Sequence, residues 1–257
     1  MLPRKHPLKC QKRKQENCPL ASSEQVKHFS ITHRTIVIDP RSHGRSTTIV
    51  HGNDYITHGT DLDKVLKQLK VENATLVGWS FGCLTVWEYI RQFGMGGIKS
   101  LVLIDMPPKS LSVQLDEDWV EGPLDDMAAA YTNYLRNPKG QRDFISAYAT
   151  GIMVQRELKE EELNWIVEQS LKTPYYIAAN LFSSGLFSDY RVEAAESSES
   201  DSLCCCRAAE HWAEAATSYL NKLAPKASVE VLGGHLMFWE YSEKFNEVVK
   251  GFLGGNG

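Results

Sequence analysis

Short apolar, β-branched runs alternate with helical patterns from His33 to the end of the chain, and this alternation limits the fold more than any other feature. Thr35-Ile36-Val37-Ile38, Thr75-Leu76-Val77, Leu101-Val102-Leu103-Ile104 and Val229-Glu230-Val231-Leu232 read as strands buried on both faces of a parallel sheet. Between the first two, Leu62, Val65, Leu66 and Leu69 recur at the spacing of an amphipathic helix over Asp61 to Lys70. Phe81 to Phe93 and Ser242 to Phe252 fit helices as well. Such an order implies βαβ crossovers and a doubly wound, mostly parallel α/β sheet, whose ligands bind beyond the carboxyl ends of the strands.

One stretch breaks the alternation. From about Leu111 to Tyr190 several helices follow one another, over Pro123 to Arg136, Gln141 to Met153, Lys159 to Leu171 and Pro174 to Phe182. This segment is expected to form a helical cap over the sheet. Its aromatics, Phe144, Tyr148 and Phe182 among them, are candidates for an apolar pocket, although core packing accounts for most such residues. Glu193 to Ser202, rich in Glu, Ser and Ala, reads as a surface loop.

The chain has 257 residues, of which 42% are hydrophobic, enough for the core of a single domain. The expected division is a basic, disordered arm over residues 1–21 and one domain over residues 22–257, with the cap inserted at about residues 111–190. The arm carries six Lys or Arg against one Glu between Met1 and Cys18, but lacks the apolar stretch of a secretory signal. A net charge of -4 offers no overall basic field for nucleic acid, and no apolar run approaches the roughly 20 residues of a membrane span. A cytoplasmic protein without nucleic-acid or membrane partners is expected. Six cysteines without CxxC spacing, three of them consecutive at Cys204, Cys205 and Cys206, read as reduced buried thiols rather than a metal site.

The chemistry is carried by Gly78-Trp79-Ser80-Phe81-Gly82. Chance would produce a Gly-x-Ser-x-Gly roughly 0.1 times in a chain of this length, so its setting decides. An apolar run ends at Val77 and a helical run starts at Cys83, which is the strand, sharp turn and helix of a nucleophile elbow. Gly78 and Gly82 would remove side chains that collide across the turn, leaving the Ser80 hydroxyl exposed at a helix N-terminus. The Phe81 amide there could donate to an oxyanion. A serine hydroxyl needs a base, and His235 in Gly233-Gly234-His235 stands on a loop directly after a strand. His43 precedes Ser80 in a turn-rich stretch and reads as structural.

Asp39 to Ser46 resembles the Asp-x-Arg-Gly-x-Gly-x-Ser turn of α/β-hydrolases, and with the elbow and the Gly-Gly-His loop gives three motifs in family order. From roughly His33 to Leu253 the chain is most similar to the esterase, lactonase and cofactor-free haloperoxidase-like branch. The resemblance implies acyl transfer to water through an acyl-enzyme on Ser80, with His235 as general base, a small ester, lactone or thioester as substrate, and no cofactor or metal. It places the triad acid either at Asp105, after Leu101 to Ile104, or at Glu210, after the strand near Leu203. Relatives also carry a His-Gly turn before the Asp39 to Ser46 motif, which donates a second oxyanion hydrogen bond. Here none precedes Ser22, and His51-Gly52 comes too late. A half-built oxyanion hole is therefore expected. Two alternatives follow: a catalytically impaired binding protein of this fold, or a perhydrolase in which peroxide replaces water. The unpatterned start and the cysteine run are also what a truncated or misassembled chain would show.

Overall fold

A computed structural model describes residues 21–111, 120, 122–198, 203–208 and 213–255. Most of the expected basic arm lies outside these residues. The sheet has four strands, β1 (Ala74–Trp79), β2 (Ile98–Ile104), β3 (Leu203–Arg207) and β4 (Ser228–Val231), paired in that order and all parallel. The α/β class and parallel sheet read from the alternation are present.

Period-two side-chain alternation divides the core. Leu101, Leu103, Leu203 and Cys205 face one cluster, completed by α2 (Tyr55–Gln68), α3 (Gly82–Phe93), α8 (Arg191–Glu196) and α9 (Ala213–Leu223). Val102, Ile104, Cys204 and Cys206 face a second, closed by α6 (Glu160–Ser170), α10 (Met237–Glu240) and α11 (Ser242–Gly255). The short α1 (Ser23–Phe29) adds Phe29 to that cluster and is tied to α11 by Gln25, whose amide donates to Asn246 Oδ1 at 3.2 Å. Both faces of β2 and β3 are covered, as their unbroken apolar sequences require. The four described cysteines are buried free thiols, and no described helix is long and apolar enough to cross a membrane.

Thr35 to Ile38 departs from expectation. It forms no strand, and Val37 and Ile38 are exposed. A strand needs a ladder partner, and among the described residues β1 pairs on one edge only, with β2. The uncovered flank also leaves Val77 of β1 60% exposed.

Between β2 and β3 run α4 (Leu124–Tyr134), α5 (Pro138–Tyr148), α6 and α7 (Tyr175–Leu186). Asn137 caps α5 by accepting the Gly140 amide at 2.8 Å, with Pro138 at the first helical position. The expected single helix over Gln141 to Met153 is two: α5 passes at Ala149 into a π-helical turn, Ala149–Met153. The expected surface loop from Glu193 is also corrected. Arg191–Glu196 is helical, Glu193 and Ala194 are buried, and residues 199–202 lie outside the described set. Glu193 is drawn inward by Arg91, whose Nε donates to its Oε1 at 2.7 Å while the guanidinium lies over the Tyr190 ring. That partner is remote in sequence and invisible to local composition.

Candidate active site

The turn between β1 and α3 is strained at Ser80, which has φ +51°, a left-handed conformation uncommon outside glycine. Its amide donates to the Ile104 carbonyl at 2.8 Å and its carbonyl accepts from the Cys83 amide at 2.8 Å, fixing the turn to the end of β2. A Cβ at Gly78 would stand 2.8 Å from Cys83 Cα, so the close approach of strand and helix requires glycine. Gly82 differs from the sequence reading, because a Cβ there would meet nothing within 4 Å. Cys83 sits beside the serine, but burial pushes its thiol well above the usual range, which leaves it an inert neighbour.

Phe81 precedes the first turn of α3, and its amide donates to no described group. It is therefore free at a helix N-terminus, where a developing anion is favoured. Its ring packs 6.0 Å from Phe182 on α7 and 6.0 Å from Tyr55 on α2.

Asp105 ends β2 and also takes a left-handed backbone, φ +51°. Its amide donates to the Cys206 carbonyl at 2.8 Å and its Oδ1 accepts the Ala208 amide at 3.2 Å. These bonds aim Oδ2 at His235, whose Nδ1 lies 2.6 Å away. Both side chains are nearly buried, so the contact is a charge-assisted hydrogen bond shielded from solvent. A carboxylate can only accept, which places the ring proton on Nδ1 and leaves the Nε2 lone pair free. Of the two expected acids, Asp105 is thus the one brought to the histidine. Glu210 lies outside the described residues.

His235 stands on the turn after β4, and its Gly-Gly prefix has a specific cause. A Cβ at Gly234 would fall 2.9 Å from the Met153 carbonyl of the π-helical turn, so the histidine loop lies against the helical insertion. Trp79, one residue before Ser80, donates its indole N–H to the His235 carbonyl at 2.8 Å, and the two rings are 5.2 Å apart. Tyr148, the last residue of α5, meets the imidazole edge to face at 5.6 Å. The structure therefore brings Ser80, His235 and Asp105 to one end of the sheet. Ser80 Oγ and His235 Nε2 make no hydrogen bond to each other, a contact that commonly tightens only with substrate present. The sequence pattern gives no sign of the contacts of Trp79 and Tyr148 with His235, although two glycines before a histidine are a sign that something passes close by.

His43 is engaged locally, its Nδ1 lying 2.9 Å from the Arg41 carbonyl. Among the described residues no group of three or more His, Cys, Asp or Glu side chains is arranged to hold a metal ion.

Comparison with known proteins agrees with this architecture. A family model described as the alpha/beta hydrolase fold matches residues 19–149. A non-heme chloroperoxidase of Kitasatospora aureofaciens is 33% identical over 95 residues, covering 37% of this chain and 34% of the relative. The chain thus matches about a third of the length of such curated relatives. Among solved structures, a bromoperoxidase from Bacillus anthracis superposes with TM-score 0.79 at 19% identity, covering 91% of this chain and 86% of the other. An esterase from Exiguobacterium antarcticum gives TM-score 0.74 at 20% identity, covering 89% and 84%.

Proposed function

We propose that this chain, which belongs to the α/β-hydrolase fold family, cleaves a small ester, lactone or thioester through an acyl-enzyme on Ser80. The observation that carries the reading is the 2.6 Å bond between His235 Nδ1 and Asp105 Oδ2 at the end of the sheet where the strained Ser80 turn lies. In the first half-reaction Ser80 Oγ attacks the substrate carbonyl as its proton passes to His235 Nε2, and Asp105 stabilises the imidazolium without taking a proton. The negative oxygen of the tetrahedral intermediate is stabilised by the Phe81 amide at the α3 N-terminus. Collapse expels the alcohol or thiol, which takes the proton from His235. Water, deprotonated by the same imidazole, then attacks the acyl carbonyl and releases the acid, restoring Ser80. The Phe81 ring against Phe182, and Tyr148 against the imidazole, support an apolar acyl or leaving group.

The test is labelling of the full chain with a fluorophosphonate, together with p-nitrophenyl acetate hydrolysis. Both are expected in the unaltered chain and absent in Ser80→Ala. Labelling that persists in Ser80→Ala overturns the assignment.

The chloroperoxidase relatives motivate a second fate for the same acyl-enzyme: attack by hydrogen peroxide in place of water, giving a peracid and free Ser80. Acetate and peroxide yielding no peracid would remove it. The open flank of β1 favours the impaired form of the fold, since no strand among the described residues precedes β1 to supply a second oxyanion donor. Robust Ser80-dependent turnover excludes that form.

A further inference from the structure

The turn that carries His235 is tied to the helical insertion by a set of bonds that the triad does not need. The last carbonyls of the π-helical turn have no further helical amide to accept, as at any helix end. Two of them, Ile152 and Met153, accept the amides of His235 and Leu236 at 3.3 and 2.7 Å. Glu240 closes the arrangement from the other side. Its two carboxylate oxygens lie 3.0 and 3.1 Å from the Gln155 amide, and Oε2 also accepts the Gly234 amide at 3.3 Å. Residues 152–155 of the insertion and 234–236 of the histidine turn are thereby joined through four amides.

We propose that Glu240 is a positioning residue for His235, clasping the histidine turn to the end of the π-helical turn so that the imidazole keeps its bond to Asp105 at the end of the sheet where Ser80 lies. The proposal rests on the hydrolase reading of the site. Three observations favour it over a general structural role. Glu240 makes no ion pair among the described residues; the nearby Arg156 is committed to Glu162, with bonds of 2.7 Å from each terminal nitrogen. Its hydrogen-bond partners are the amides flanking the two segments in question. Finally, the His235 backbone is held from two sides, its amide by the insertion and its carbonyl by the Trp79 indole, so the ring position depends on both anchors.

A glutamine at position 240 keeps one acceptor oxygen, whereas alanine keeps none. Glu240→Ala is expected to lower kcat for p-nitrophenyl acetate on the order of 10- to 100-fold, the scale of an ångström misplacement of a catalytic group, with KM changed less than about twofold. Glu240→Gln should recover most of that loss. Hydrogen exchange of the full chain supplies a readout independent of turnover. Peptides covering residues 150–156 and 233–237 should exchange faster together in Glu240→Ala, with the strands of the sheet unchanged. Unaltered kcat in Glu240→Ala, or faster exchange in only one segment, overturns the proposal. A chain without Ser80-dependent turnover would refute the hydrolase reading instead, and the paired exchange would still decide whether the clasp exists. If Glu240→Ala does not fold, Glu240→Gln is judged by the same paired exchange, reduced in size.

Discussion

The two flanks of the sheet are built differently. At the carboxyl ends of β1, β2 and β4, Ser80, Asp105 and the His235 turn are each fixed by backbone hydrogen bonds to neighbouring elements, and Gly78 and Gly234 are there because another segment passes close by. In the segment that precedes β1, among the described residues, Thr35 to Asp39 has no strand partner, Val37 is exposed, as is Val77 of β1 itself, and His58 Nε2 and Asn53 Oδ1 are buried without a hydrogen-bond partner. Buried polar atoms usually find partners, and apolar strand residues usually find cover. In the proposed mechanism Ser80, His235 and Asp105 need only β1, β2, β4 and the connections they carry, whereas no described strand stands on the side from which a second oxyanion donor would come.

The largest expected effect lies on the furnished flank. Ser80→Ala and His235→Ala should each reduce kcat/KM for an activated ester by at least about 10³-fold, and Asp105→Asn by a comparable factor, since an amide would favour the wrong imidazole tautomer. Melting temperatures should change little in comparison. A mutant of the three with near-normal turnover would remove that residue from the mechanism, and normal turnover in Asp105→Asn would return the acid to another carboxylate.

The next effect lies on the bare flank and is a matter of pH. His58 is 5% exposed and its pKa is lowered to about 4, first by burial and then by its neighbour His43. The folded state therefore resists protonating a group that the unfolded chain protonates near 6.5. Stability from this histidine is fully present above about pH 6.5 and is lost as pH falls towards 4, by up to about 3 kcal/mol. Denaturant titrations between pH 7 and 4.5 should show the loss, and His58→Gln should flatten it. A slope that survives the substitution would assign the acid sensitivity to other groups.

Gly234→Ala returns to the furnished flank. Its Cβ would enter the space of the Met153 carbonyl, so either the π-helical turn or the histidine turn must move. A destabilisation of about 1–3 kcal/mol, with a fall in kcat, is expected from chemical denaturation and ester kinetics. Unchanged stability would mean that the two segments are not packed together in solution.

These contrasts also mark what was legible in the sequence. Ser80 and His235 could be found because elbow and histidine turn are local: a strand, a turn and the next element in one short stretch. Asp105 and Glu210 stayed level because the choice depends on which carboxylate crosses 2.6 Å to an imidazole 130 residues away. The succession of helices between β2 and β3 was legible, apart from the shift to π-helical geometry at Ala149, which no residue pattern announced. Thr35 to Ile38 has every local property of a strand and fails to become one for want of a neighbour, a condition set by the rest of the chain. Glu193 went unrecognised for a similar reason, because Arg91, which draws it into the protein, lies on another helix. The pentapeptide's second glycine was credited with a collision that does not exist.

The smallest expected effect tests the bare flank most directly. Val77 lies in the middle of β1, where a parallel strand is normally covered on both faces, yet it is 60% exposed. Val77→Thr keeps the β-branched shape and strand preference while adding a hydroxyl. With the side chain in water, that hydroxyl is hydrated in folded and unfolded states alike, and the change in stability should stay within about 0.5 kcal/mol by urea titration. With the face covered in solution, the same hydroxyl would be stripped of water, at a cost of about 1–3 kcal/mol. A loss of that size would show that this face of β1 is covered by a further segment and that the two regions are more alike than they look. A null result keeps the asymmetry.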